Sequence, residues 1–150
     1  MRRFVVYSKE ASTAPIIKDL KAAGRIDVLL HSIVSALFAS NTFRDDVEIH
    51  LVMMGPPSSP RHIIIKYGEG NTISKKDLKR LVEIALRRCK PGERREVHPG
   101  VFVDDYSIER VVEEFKNMGI ENIFVLDGYG EHISSIERSR LGDAVFVLGD

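Results

Sequence analysis

At 150 residues, with 43% hydrophobic and 29% charged residues, the chain has the composition of one globular domain, which excludes disordered and fibrous classes. Its formal net charge is zero, so no polyanion would be held by overall charge. The single cysteine, Cys89, excludes an intrachain disulfide and a cysteine-based zinc cluster, and points to a reducing, cytoplasmic setting. Apolar runs such as Ala144 to Leu148 are too short to span a bilayer, so no membrane partner is expected.

Phe4 to Tyr7 reads as a short buried strand, followed by a polar loop containing Pro15. A helix is predicted from near Gly24, because Ile26, Leu29, Leu30, Ile33, Val34, Leu37 and Phe38 keep one face apolar; Asn41 is its predicted stop. Val47 to Met54 reads as a strand that ends at Gly55-Pro56-Pro57, where proline cannot extend a ladder. His62 to Tyr67 is the next strand, closed by Gly68 and Gly70. Ser74 caps a second helix with Leu78, Leu81, Val82, Ala85, Leu86 and Cys89 as its apolar stripe, ended by Pro91-Gly92. Val101 to Val103 is a strand, Ser107 caps a third helix, and Gly119 ends it. Ile123 to Leu126 and Ala144 to Leu148 complete the strands. Continuous apolar strands alternating with amphipathic helices imply an α/β fold, a mostly parallel sheet covered by helices on both faces.

The zero net charge conceals an asymmetry. Lys75 to Glu96 holds nine basic and four acidic residues, whereas Asp104 to Asp150 holds eleven acidic and four basic ones. The basic stretch is either a solvated helix face or a contact for a polyanion. Two strands run into glycine beside an acidic residue, Leu126-Asp127-Gly128-Tyr129-Gly130 and Leu148-Gly149-Asp150. In open α/β sheets ligands bind beyond the carboxyl ends of strands, where glycine allows close approach; the plainer reading is a tight turn that needs positive φ. Arg25 and Asp27 open the first long helix two residues apart, a spacing that does not face the side chains together on a helix; Asp27 there complements the helix dipole or serves a site. The histidines, at positions 31, 50, 62, 98 and 132, form no i,i+3 or i,i+4 pair, so no metal centre is expected. Cys89 on an apolar stripe reads as core rather than nucleophile.

Several stretches together resemble one family. Gly24-Arg25-Ile26-Asp27-Val28-Leu29-Leu30, Arg44-Asp45-Asp46-Val47, the turn from Gly55 to Pro57, Pro99-Gly100-Val101-Phe102-Val103 and Phe146-Val147-Leu148-Gly149-Asp150 match, in order, segments of TrmY, the archaeal tRNA pseudouridine-54 N1-methyltransferases of the SPOUT, or α/β-knot, superfamily. The resemblance implies a single knotted methyltransferase domain, a homodimer, tRNA as substrate and S-adenosyl-L-methionine as cofactor. It places the knot-forming segment past the Gly-Asp pair, so the chain is expected to be C-terminally incomplete and to carry two of three cofactor loops. Leu126, Gly128 and Gly149 are then the expected cofactor contacts. N1–H of pseudouridine is a weak acid, so Asp27 is the candidate to accept its proton and Arg25 to stabilise the developing charge. Arg87, Arg88, Arg94 and Arg95 would contact tRNA phosphates without reading sequence. A non-catalytic RNA-binding module and a small-molecule binder are the alternatives: the first predicts salt-dependent RNA binding without cofactor affinity, the second no RNA binding.

Overall fold

The computed structural model describes residues 1–20, 22–39, 42–67 and 73–149. Asn41, Gly68, Gly70 and Asp150, named above as a helix stop, strand ends and a cofactor-strand terminus, lie outside the described residues.

In chain order the strands are β1 (Arg2–Ser8), β2 (Phe38–Ala39), β3 (Thr42–Phe43), β4 (Val47–Met53), β5 (Arg61–Lys66), β6 (Arg95–His98), β7 (Val101–Asp104), β8 (Ile123–Val125) and β9 (Ala144–Gly149). The helices are α1 (Ile26–Leu37), α2 (Leu78–Arg88) and α3 (Ile108–Asn117). Seven strands form one sheet in the order β6-β7-β5-β4-β1-β9-β8, and β2 pairs with β3 as a separate short ribbon. The α/β class and the helices on both faces agree with the sequence. The sheet is mixed: β4, β1, β9 and β8 run parallel, while β5, β7 and β6 join by antiparallel pairings. The cause is connection length, since β4 and β5 are separated only by the proline-rich turn, too short for a parallel crossover.

The local signals act as their chemistry dictates. Ser74 and Asp77 form a capping box around a single 3₁₀ turn, Lys75–Asp77, so α2 proper begins at Leu78. Ser107 Oγ accepts from Arg110 N at 3.3 Å and caps α3, and Gly119 follows the last turn with φ 84°.

The helices split the core in two. On one face α1 and α2 pack Ile26, Leu29, Ile33, Leu37, Leu81 and Ala85 against Ile49, Leu51, Ile63, Ile65, Val101 and Val103. On the other, α3 packs Val111 and Phe115 against Val5, Val52 and Val145. Under α3 the sheet also buries polar groups, His50, His62 and Asp104.

Candidate active site

All the parallel strands point their carboxyl ends at one rim. The register sets Ser8 of β1 beside Met53 of β4, and Tyr7 beside Gly149 of β9. Val125 of β8 lies beside Val147, and the ladder continues one residue further, where Leu126 N donates to Val147 O at 2.9 Å. Leu126 and Gly149 therefore end neighbouring strands, about 4.8 Å apart in strand spacing. Leu126 is half exposed.

The glycines here are not turn-formers. Neither Gly128 nor Gly149 has positive φ, so the plain reading of a strained tight turn fails. A Cβ at Gly149 would make only ordinary contact, 3.9 Å from Tyr7, and one at Gly128 would meet nothing within 4 Å. What these glycines leave is bare backbone, facing open space at Gly128 and lying beside Tyr7 at Gly149. The turn between them and the next segment is local: Asp127 Oδ1 accepts from Tyr129 N at 2.9 Å and Asp127 O from Gly130 N at 3.0 Å, which leaves the Tyr129 ring fully exposed.

A second part of the rim lies at the end of β1. The backbone of Glu10 and Ala11 passes between Gly24 and Gly55 so tightly that a Cβ at Gly24 would sit 1.9 Å from Glu10 O, and one at Gly55 would sit 2.4 Å from Ala11 O. Hydrogen bonds close the crossing: Gly55 N donates to Ala11 O (2.8 Å), Ser12 N to Ala23 O (3.0 Å) and Thr13 N to Pro56 O (3.0 Å). Thr13, itself buried, donates from Oγ1 to Gly55 O (3.0 Å) and accepts from Ser58 N (2.7 Å).

This crossing sets up Arg25 and Asp27. Gly24 (φ 74°) and Arg25 (φ 63°) are both left-handed, so Arg25 caps α1 from outside the helix. Two residues apart they do not face each other on a helix, as expected, but Arg25 is not helical. Its guanidinium grips Asp27 in a two-pronged ion pair, Nε to Oδ1 at 3.0 Å and Nη2 to Oδ2 at 3.1 Å. The hydrogen bond to Asp27, then its charge, raises the Arg25 pKa above the ordinary arginine value. A carboxylate so held is oriented.

The basic residues divide. Arg87 and Arg88 are exposed in the last turn of α2, and Arg88 O accepts from Arg95 Nη1 at 3.0 Å. Arg94 instead turns inward, with Nε on Asp104 at 2.8 Å and Nη1 and Nη2 on Glu114 at 2.7 and 3.1 Å. α2 packs on β6 and β7, so these arginines sit at the opposite end of the sheet from Leu126 and Gly149. Four strand spacings separate β9 from β7, roughly 19 Å. Burial raises the pKa of the Cys89 thiol, which suits core better than nucleophile.

Sequence reasoning missed an apolar trough on the α1 face beside the rim. Phe146 stacks between Phe4 (5.4 Å) and Phe124 (5.6 Å), with the Arg140 guanidinium 5.3 Å from the Phe124 ring centre. Cavities of about 350, 300 and 330 Å³ lie along it, between α1 and the segment around Ile133. The signal was present as one phenylalanine in each of three strands, but only the strand order and register bring them side by side. Among the described residues no group of three or more His, Cys, Asp or Glu is placed to hold a metal, and no helix is long and apolar enough to cross a membrane.

With that geometry in hand, likeness to known proteins becomes informative. Residues 1–150 match the family described as SAM-dependent RNA methyltransferase. The tRNA (pseudouridine(54)-N(1))-methyltransferase of Methanopyrus kandleri is 32% identical, aligned over 100% of this chain and 72% of its own length. Enzymes of the same name from Thermococcus gammatolerans and Methanocella arvoryzae are each 34% identical over 100% of this chain, with 77% and 78% of their own lengths covered.

Proposed function

From the premise that this chain belongs to the SAM-dependent RNA methyltransferase family, we infer that it transfers a methyl group to N1 of pseudouridine 54 in tRNA. The chain aligns along its whole length with relatives named for that reaction, at 30% identity or more in several of them. The observation that carries the site assignment is the pair of neighbouring strand ends at one rim, a half-exposed Leu126 beside the side-chain-free Gly149. S-adenosylmethionine supplies an electrophilic methyl group when bound.

Every other task falls to this chain's own groups. The backbone at Leu126, Gly128 and Gly149 holds the adenosine portion; a Cβ added at Gly128 would meet no protein atom within 4 Å, and one at Gly149 only ordinary contact with Tyr7. Asp27 accepts the proton from N1, so that the nitrogen attacks as an anion, and Arg25 both aims that carboxylate and offsets the negative charge that develops. The left-handed cap at Gly24–Arg25 fixes this pair to the rim. Arg87, Arg88 and Arg95 meet tRNA phosphates; Arg94 is committed to Asp104 and Glu114 and serves the fold instead. The roughly 19 Å between β9 and β7 suits a folded RNA that reaches across several strands. A homodimer in the cytoplasm completes the reading.

The test is Asp27→Asn. Cofactor binding by calorimetry should persist, while N1-methylpseudouridine in tRNA, counted by mass spectrometry, should fall at least ~100-fold, the low end of what a positioned base contributes. Unchanged product removes Asp27 from the mechanism.

A further inference from the structure

Across the sheet face beneath α3, several strands from the glycine strand ends at its far side, runs a line of charged and titratable side chains from Asp143, just before β9, to Arg94, just before β6. Arg3 Nη1 donates to Asp143 Oδ1 at 2.9 Å, and Arg3 Nε lies 3.3 Å from Glu48 Oε1 without hydrogen-bond alignment. His50 Nε2 is 2.9 Å from that same Glu48 oxygen. His50 Nδ1 is 2.8 Å from His62 Nε2, and His62 Nδ1 is 2.9 Å from Asp104 Oδ1. Arg94 joins Asp104 to Glu114 of α3. His50, His62 and Asp104 are all at least 97% buried, so water does not relay these contacts.

Counting protons along this line gives a result that no single contact shows. Each heteroatom contact at such distances needs one proton facing one lone pair. A carboxylate offers only lone pairs, so His50 Nε2 must carry a proton toward Glu48 and His62 Nδ1 must carry one toward Asp104. His50 Nδ1 and His62 Nε2 then face each other. Were both rings neutral, two lone pairs would meet at 2.8 Å inside the protein. One more proton is required, either on an imidazole or on a carboxylate.

The carboxylates do not take it. Burial works to raise Glu48, but the hydrogen bond from His50, with His50, Arg3 and Lys66 as nearby positive or partly positive groups, holds it below its ordinary value. Burial also works to raise Asp104, and bonds from His62, Arg94 and the Tyr106 amide outweigh it. We propose that His50 and His62 together bind one proton at neutral pH, forming a buried imidazolium–imidazole pair that ties β4 to β5 and, through Asp104 and Arg94, ties the sheet to α3. Burial drives His50 down to about 4 against its hydrogen bond to Glu48, so His50 is the neutral member. It donates from Nε2 to Glu48 and accepts at Nδ1 from His62 Nε2. The charges then alternate along the line: Asp143 negative, Arg3 positive, Glu48 negative, His62 positive, Asp104 negative, Arg94 positive, Glu114 negative.

The surroundings seal the pair. Phe115 of α3 sets its ring edge-on to His50 at 5.0 Å, and the Tyr106 ring lies parallel to His62 at 6.3 Å. Arg94 and Arg110 stand over Tyr106 at 5.0 and 3.6 Å, and Lys66 sits opposite Glu48 in the register. The sign of the pH effect follows for His50. In the unfolded chain it protonates below about 6.5, in the fold only near 4, so the contribution of His50 to stability is complete above 6.5 and is lost as pH falls from 6.5 toward 4.

The wild-type full chain decides the matter without any variant. Long-range proton–nitrogen spectra of ¹⁵N-labelled protein at pH 7.5 should show one histidine with both ring nitrogens protonated, coupled through an N–H···N bond to a second, neutral ring. Two neutral histidines, or a protonated Glu48 or Asp104 in carbon spectra, overturns the proposal. His50→Gln should keep the imidazolium, because its carbonyl can accept from His62 while its amide donates to Glu48. His62→Gln should abolish it and lower the melting temperature more, because one amide cannot donate both to Asp104 and to His50 while hiding its carbonyl. A folded His50→Gln protein without the imidazolium, or the reverse order of melting temperatures, also overturns it.

Discussion

The two halves of the sheet share apolar inner strands and reach opposite outcomes at their ends. From β4 to β8 the strands run parallel, and their carboxyl ends carry Gly55, Gly128 and Gly149. From β5 to β6 they run antiparallel, and the ends are filled by Arg94, Asp104 and His62, which bind one another. A parallel strand must be reached by a long crossover, whereas a hairpin delivers only a turn. The parallel half therefore gathers loops from remote parts of the chain at one rim and leaves room there. The antiparallel half spends its polar groups inward, on cohesion.

Three variants probe that contrast. The largest effect should come from Gly24→Ala, since its Cβ would overlap Glu10 O and its φ of 74° disfavours any side chain. A loss of about 3 kcal/mol or more in urea unfolding is expected, in the range of severe backbone clashes. An unchanged midpoint would mean that the crossing beneath the rim yields easily. Gly149→Ala should be much gentler on the fold, within about 0.5 kcal/mol, because the new methyl meets only ordinary contacts. Its cost should appear in calorimetry, as an S-adenosylmethionine affinity lowered at least ~10-fold, about 1.4 kcal/mol. Full affinity would detach this strand end from the cofactor. The smallest effect is expected for Arg87→Ala with Arg88→Ala, which should leave folding and cofactor affinity alone. Its tRNA affinity should drop a few-fold at low salt, with a salt slope shallower by about 1 to 2. An unaltered slope would assign the α2 arginines to bulk solvent.

Much of this architecture was legible in the sequence because burial writes itself into apolar runs. β4, β5, β7, β8 and β9 were found within a residue or two, and α1 by its unbroken apolar face. β6 was not, because an edge strand half open to water, Arg95-Glu96-Val97-His98, has the composition of a loop. The antiparallel course of β5 was not legible, since apolar content says nothing of which way a strand runs. Of the site, the glycine strand ends and the Arg25–Asp27 segment were visible, but not that Arg25 pairs with Asp27, which depends on a left-handed cap. The histidine pair was invisible to a search at helical spacing: His50 and His62 are diagonal neighbours on adjacent strands, and only the register His50–Ile64 and Val52–His62 brings them together.

The crossing of Glu10 and Ala11 between Gly24 and Gly55 has a mechanical consequence. Three pieces of main chain touch there with no side chain between them to absorb a displacement. Any push on the end of β1, one strand from Gly149, must pass into the start of α1 and the turn after β4 nearly undiminished. A joint so closely packed is expected to transmit displacement, so that events at the glycine edge reach Arg25 and Asp27 as a change of position.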